Sequence, residues 1–175
     1  RFARFSRGED DRRVEPESER KSLSAETTLD KDLTDGDALA RILWRLTEKV
    51  ARGLRKEDLA GRTITLKLKT ARFRLITRSQ SLADPTRSAE IIYRTAAPLL
   101  ERETTGTAYR LIGVGVSNYA PLEEAATLDL ADPDAERRAR LEDSVDSLRD
   151  KFGTDAIGKG RGMADKLKNN ETKQG

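Results

Sequence analysis

The chain has neither cysteine nor histidine among its 175 residues. Disulfides, thiolate nucleophiles, imidazole bases and zinc sites built on those ligands are excluded. Rings are scarce too, with one Trp, three Tyr and four Phe. No apolar run is long enough to span a bilayer and no signal peptide is visible. A cytoplasmic protein with no membrane partner is therefore expected. Because it starts at Arg1 rather than Met, the chain is expected to be a piece of something longer. What the sequence has in quantity is charge, 34 basic against 31 acidic residues for a net +3. Information must lie in how those charges are distributed.

Residues 1–20, "RFARFSRGEDDRRVEPESER", mix both signs with Gly8 and Pro16 and show no periodicity, so they read as a linker. "KSLSAETTL" then alternates, with Leu23, Ala25, Thr27 and Leu29 on one strand face. A helix follows, capped by Thr34 or Asp35, with Leu39, Ile42, Leu43, Leu46 and Val50 as its stripe and Trp44 packing at the stripe's edge. A second helix, starting near Pro85, spaces Ala89, Ile92, Ala96 and Leu99 helically. Pro98 is expected to kink or shorten it. "YRLIGVGVSN" closes the set as a strand, with Ile112, Val114 and Val116 on one face and Gly113, Gly115 and Ser117 on the other.

Between the helices lies "RTITLKLKTARFRLITRSQ", Arg62 to Gln80, which alternates, breaks and alternates again. A hairpin turning about Thr70-Ala71 would set Leu68 opposite Phe73, Leu66 opposite Leu75 and Ile64 opposite Thr77 on an apolar face. The other face would pair Lys69 with Arg72, Lys67 with Arg74 and Thr63 with Arg78. The element order is then strand, helix, strand, strand, helix, strand. That order predicts an α+β fold of split βαβ type (βαββαβ), a four-stranded antiparallel sheet with both helices on one face.

The expected open face gathers Lys67, Lys69, Arg72, Arg74 and Arg78 with no carboxylate in the stretch, and like charges opposite each other destabilise a strand pair. A solvated surface is the bland explanation. An anionic partner relieves the repulsion better, and Thr63, Thr65 and Ser117 add neutral donors. Gly113 and Gly115 let backbone approach a ligand closely. Such a row suits phosphates along a duplex. RNA-recognition domains share the topology but stack bases on aromatics of the open face, and this register sends Phe73 to the core. A small enzyme of the acylphosphatase kind would need an activated water or nucleophile, and no residue stands out for that role.

Beyond Asn118, "APLEEAATLDLADPD" reads as an acidic linker and "DAERRARLEDSVDSLRDKFG" as a helix over about 134–152. Asp134 would cap that helix, and Leu141, Val145, Leu148 and Phe152 would form its stripe. The net acidic segment 121–150 is expected to compete with an anion for the basic sheet. Residues after the helix are polar and read as a disordered tail.

Three separated blocks, "RKSLSAETT", "GRTITLKLKTARFRLITRSQSL" and "YRLIGVGVSN", resemble the little finger domain of Y-family DNA polymerases, bacterial DNA polymerase IV branch. The opening segment is similar to the linker from that family's thumb, and residues 132–162 are similar to C-terminal extensions of some bacterial members. The resemblance implies a linker at 1–20, a DNA-binding domain at 21–119 and an extension at 120–175. It implies a parent enzyme that extends primers past damaged template with low fidelity, using magnesium. The family's metal-binding carboxylates lie in a palm that precedes the thumb, so this chain should bind primer–template and have no catalytic residue or cofactor of its own.

By the same resemblance, the DNA-contacting positions are Ser22, Ser24, Glu26, Lys67, Lys69, Arg72, Arg74, Arg78, Arg110 and Gly115. Some relatives carry a basic residue where Gly115 stands, so its contact would be through backbone. Many have an acidic or neutral one at Arg72. A sliding clamp is a further implied partner, reached through a short peptide for which Leu128 and Leu130 in "TLDLADP" are the nearest match, with Thr127 and Ala131 departing from the motif. The alternative reading is an unrelated nucleic-acid-binding module of ferredoxin-like topology.

Overall fold

Four alternating stretches become strands because one side of each meets a helical stripe and the other meets water. The computed structural model describes residues 22–120 and 133–153. The linker, the acidic stretch with Leu128 and Leu130, and the tail after Gly153 lie outside the described residues. In chain order the elements are β1 (Ser22–Leu33), α1 (Gly36–Lys56), β2 (Ala60–Thr70), β3 (Leu75–Thr86), α2 (Ala89–Glu103), β4 (Tyr109–Ala120) and α3 (Pro133–Phe152).

The sheet runs β1-β4-β2-β3, with each neighbouring pair antiparallel. Strand β4 therefore splits the β1-α1-β2 crossover, and β2 splits β3-α2-β4, as expected. Leu39, Leu43, Val50 and Leu54 of α1 pack with Ile92, Ala96 and Leu100 of α2 over Ile64, Leu66, Leu68, Ile112, Val114 and Val116 of the sheet. Trp44 is buried rather than peripheral, and its ring meets Tyr93 edge-on at 5.2 Å. Burial also raises the Tyr109 phenol above its ordinary pKa, and that hydroxyl donates to the Glu103 carbonyl at 2.8 Å.

Local signals place the helix ends. Asp35 caps α1, its Oδ1 accepting from the amides of Asp37 at 2.9 Å and Ala38 at 3.3 Å. At the other end Asp58 takes a left-handed φ of 52° and the Leu59 amide reaches back to the Leu54 carbonyl at 2.8 Å. Pro85 belongs to the end of edge strand β3, where a missing N–H is tolerated. Helix α2 starts later, at Ala89, and runs through Pro98 to Glu103.

The hairpin differs from its expected form. Its turn is Ala71-Arg72-Phe73, closed by Phe73 N–H to Thr70 O and Thr70 N–H to Arg74 O, both 2.9 Å. Phe73 sits in the left-handed region at φ 65°, the position that usually carries glycine in a three-residue hairpin loop. For a bulky side chain that conformation costs about 1–2 kcal/mol. The Thr70 hydroxyl supports it by accepting from the Arg74 amide at 3.1 Å. Lys69 consequently faces Leu75, Lys67 faces Thr77, Leu66 faces Arg78 and Thr65 faces Ser79. An odd register shift exchanges the faces of β3. Phe73 and Leu75 are exposed rather than core, and the like-charge pairs do not form.

Helix α3 starts at Pro133, with Asp134 inside its first turn rather than before it. It docks through a face other than its apolar stripe, since Leu141, Leu148 and Phe152 are exposed. Glu142, Val145, Asp146 and Arg149 share the inward side at helical spacing. Arg55 of α1 donates to Glu142 at 2.6 Å and to Asp146 at 2.7 Å. Arg149 reaches Glu48 at 3.4 Å and Arg52 bonds Asp150. The Ser88 hydroxyl at the start of α2, instead of capping that helix, donates to Glu142 at 3.2 Å. Glu142, Asp146 and Asp150 of α3 thus meet α1 and the start of α2, in the helical layer.

Candidate functional site

Register assigns the uncovered face row by row. Ser22, Ser117, Thr63 and Ser81 form the first cross-strand row; Ser24, Gly115, Thr65 and Ser79 form the second. The third is Glu26, Gly113, Lys67 and Thr77, and the fourth is Thr28, Leu111, Lys69 and Leu75. One half is a carpet of hydroxyls, with Thr63 to Ser81 and Thr65 to Ser79 each hydrogen-bonded at 3.0 Å. The other half carries the charge.

A shallow trough of about 330 Å³ crosses the middle of this face, floored by Gly113 and Gly115 and edged by Ser24, Glu26, Thr65, Lys67 and Ser117. A Cβ on Gly113 would come within 2.8 Å of the Glu26 Cβ, and one on Gly115 within 3.1 Å of the Ser24 Cβ. The glycines therefore serve close β1–β4 approach and keep the trough open. Main chain on its floor is reachable by a rigid ligand.

The structure separates the six expected cations into an open-face set, a hairpin-tip pair and one residue on the helix side. Lys67 and Lys69 stand on the open face. A shift in the β2–β4 pairing leaves Arg110 unpaired between Tyr109 and Leu111, and its guanidinium lies over the Phe73 ring at the fourth row. Arg72 and Arg74 belong to the exposed hairpin tip. Arg78 does not project from the open face: opposite Leu66, it falls on the helix side of the edge strand and binds Glu103 of α2 at 2.7 Å. Nor is the face free of carboxylate, because Glu26 holds Lys67 at 2.7 Å. Both side chains of that pair are more than two-fifths exposed. Such pairs are worth about 0–1 kcal/mol, so Lys67 can exchange Glu26 for another anion at little cost.

Sequence reasoning missed Ser79 and Ser81, which the corrected register brings in beside Thr65 and Thr63. The run of small polar residues in "TRSQS" was their only signal. It also missed Phe73, now at the charged end with Arg110 centred 4.0 Å and Lys69 5.6 Å from its ring. Among the described residues, no cluster of three or more acidic side chains could hold a metal. Nor is any helix among them long and apolar enough to cross a membrane.

A βαββαβ sheet with one face covered by helices and the other lined by hydroxyls, glycines and a few cations matches a defined domain class. The chain belongs to the impB/mucB/samB family C-terminal domain, which matches residues 20–130, and this is the little finger domain of Y-family DNA polymerases. Its similar curated relatives are DNA polymerases IV. That of Brucella melitensis biotype 1 is 49% identical over 157 residues, 90% of this chain and 35% of the relative. DNA polymerase IV 1 of Mesorhizobium japonicum is 48% identical over 157 residues, 90% of this chain and 36% of the relative. The chain thus spans little more than a third of the length of either. Among solved structures, a little finger domain of PolIV in complex with a beta-clamp processivity factor has the same fold, with TM-score 0.50 and 24% identity. The match covers 57% of this chain and 90% of that one. A chimeric Y-family DNA polymerase matches at TM-score 0.52 and 19% identity, over 58% of this chain and 29% of that one.

Proposed function

We propose that this chain grips primer–template duplex by its sugar–phosphate backbone for a lesion-bypass DNA polymerase whose catalytic residues lie elsewhere in the parent protein. The observation that carries the reading is the open face itself. It sets two rows of hydroxyls and glycines beside Lys67, Lys69 and Arg110, a surface with hydrogen-bond donors and cations but little to read bases with. Hydroxyls, backbone amides and cations are the groups that take phosphate oxygens and hold a protein in register on a duplex. Ser22, Ser24, Thr63, Thr65, Gly113, Gly115 and Ser117 would position the backbone, and the three cations would neutralise it. The central strands β4 and β2 present no aromatic on this face, which disfavours the RNA-recognition alternative.

The family relationship supports the grip, and a sliding clamp is proposed as a second partner because a relative of the same fold was solved with one. Leu128 and Leu130 are the residues proposed for that contact. A salt titration of duplex binding tests the grip. Three neutralised phosphates give a log–log slope of about −2.7, and Lys67→Ala, Lys69→Ala or Arg110→Ala should each flatten it by about 0.9. Random and defined sequences should weaken alike. A slope near zero, or three variants indistinguishable from the parent, would return this face to a solvated surface.

A further inference from the structure

The hairpin tip does something a backbone grip does not require. Phe73 stands at the charged end of the open face, 63% exposed and at φ 65°. A large apolar ring is held out to solvent by a backbone conformation that disfavours it, where glycine or asparagine would serve the turn better. Arg110 lies over the ring at 4.0 Å and Lys69 within 5.6 Å. Leu75, 54% exposed, lies directly across from Lys69 and extends the apolar surface. Ring, guanidinium and aliphatic edge lie at the end of the rows proposed to follow the phosphates.

We propose that Phe73, backed by Arg110, is a stacking platform for an unpaired nucleobase, so that this end of the face binds DNA where a base has left the helix. An exposed ring offers its π-surface to any base without regard to sequence, and neighbouring cations hold the adjoining phosphates. An intact duplex keeps its bases stacked inside and cannot use the ring. The inference rests on the duplex-grip reading for the placement of the strand, and it adds a preference for single-stranded or bulged DNA.

The test uses the 175-residue chain with two fluorescent DNA probes. One is a fully paired duplex; the other is the same duplex with a single bulged 2-aminopurine. Phe73→Asn is the informative variant, since asparagine accepts the left-handed conformation and leaves the turn intact; its melting temperature should be unchanged or raised. The bulged probe should lose roughly 5- to 100-fold in affinity, the range for losing one base–aromatic stack, while the paired probe changes less than about twofold. Quenching of 2-aminopurine on binding should disappear with the ring. Equal losses on both probes, or none on either, would overturn the platform while leaving the grip standing. Failure of the parent chain to bind paired duplex, with tight and Phe73-dependent binding of the bulged probe, would overturn the grip and keep the platform.

Discussion

Helix α1 is held on two sides by opposite means. Toward the sheet, Leu39, Leu43, Val50 and Leu54 are fully buried in the apolar core, where α1 lies over β1 and β4. Toward α3, Glu48, Arg52 and Arg55 meet Arg149, Asp150, Glu142 and Asp146. The first seam is strong because every methylene withdrawn from water contributes about 0.8 kcal/mol. The second has good geometry but must offset the desolvation of its charges, so its net worth is small relative to the number of contacts. One seam belongs to the fold and the other is a joint.

Leu66→Ala should produce the largest effect. It empties a fully buried site on β2, the strand that α2 covers, and should cost about 2–5 kcal/mol of unfolding free energy in denaturant titration. Arg55→Ala should come next, and it shows whether the second seam is separable. Glu142, 4% exposed, would be left buried without its guanidinium, at a cost of about 3–5 kcal/mol if nothing moved. Release of α3 returns the carboxylate to water for less. Hydrogen exchange should therefore speed over residues 133–152 while the main melting transition hardly shifts. A variant whose main transition falls as far as that of Leu66→Ala would show that the two seams are one.

The smallest effect belongs to the open face. Glu26→Gln removes the carboxylate that competes for Lys67 and should tighten duplex binding by about two- to fivefold at low salt. Stability should change by less than about 0.5 kcal/mol, as for an exposed pair. Weaker binding after this change would give Glu26 a positive part in holding DNA.

The two seams also differ in how far the sequence revealed them. Apolar periodicity is a local signal, and it gave the element order, the Asp35 cap and the α1 and α2 residues of the core. It failed where the deciding partner is distant. The stripe of Leu141, Leu148 and Phe152 is a regular helical pattern, yet ion pairs across some ninety residues of chain decide which side of α3 docks. Arg78 looked like part of a basic row because Glu103, which holds it on the helix side, comes after the whole hairpin. The hairpin register turned on one residue. A glycine at position 73 would have announced the three-residue loop, and a phenylalanine concealed it. That Ser22, Ser24, Thr63, Thr65, Lys67, Lys69, Gly113, Gly115 and Ser117 share the uncovered face was legible because they lie on strands whose other side is unambiguously apolar.

Strand β1 has a consequence for how the domain comes into being. It is the first described element of the chain and an edge of the sheet, and among the described residues its one strand partner is β4, so Ser22 waits for Ser117. The β2–β3 hairpin and α1 close short loops and can form early, whereas pairing of β1 closes the longest loop in the sheet and is slow for that reason. During synthesis β1 leaves the ribosome before the other strands of the sheet and finds its place last. Until Tyr109–Ala120 has emerged, its apolar side, Leu23, Ala25 and Leu29, has no strand beside it and is exposed to the wrong neighbours. The step that completes the sheet also completes the trough, since β1 supplies Ser22, Ser24 and Glu26 along its edge. A nascent chain thus acquires the hydroxyl rows in full only when the domain is finished.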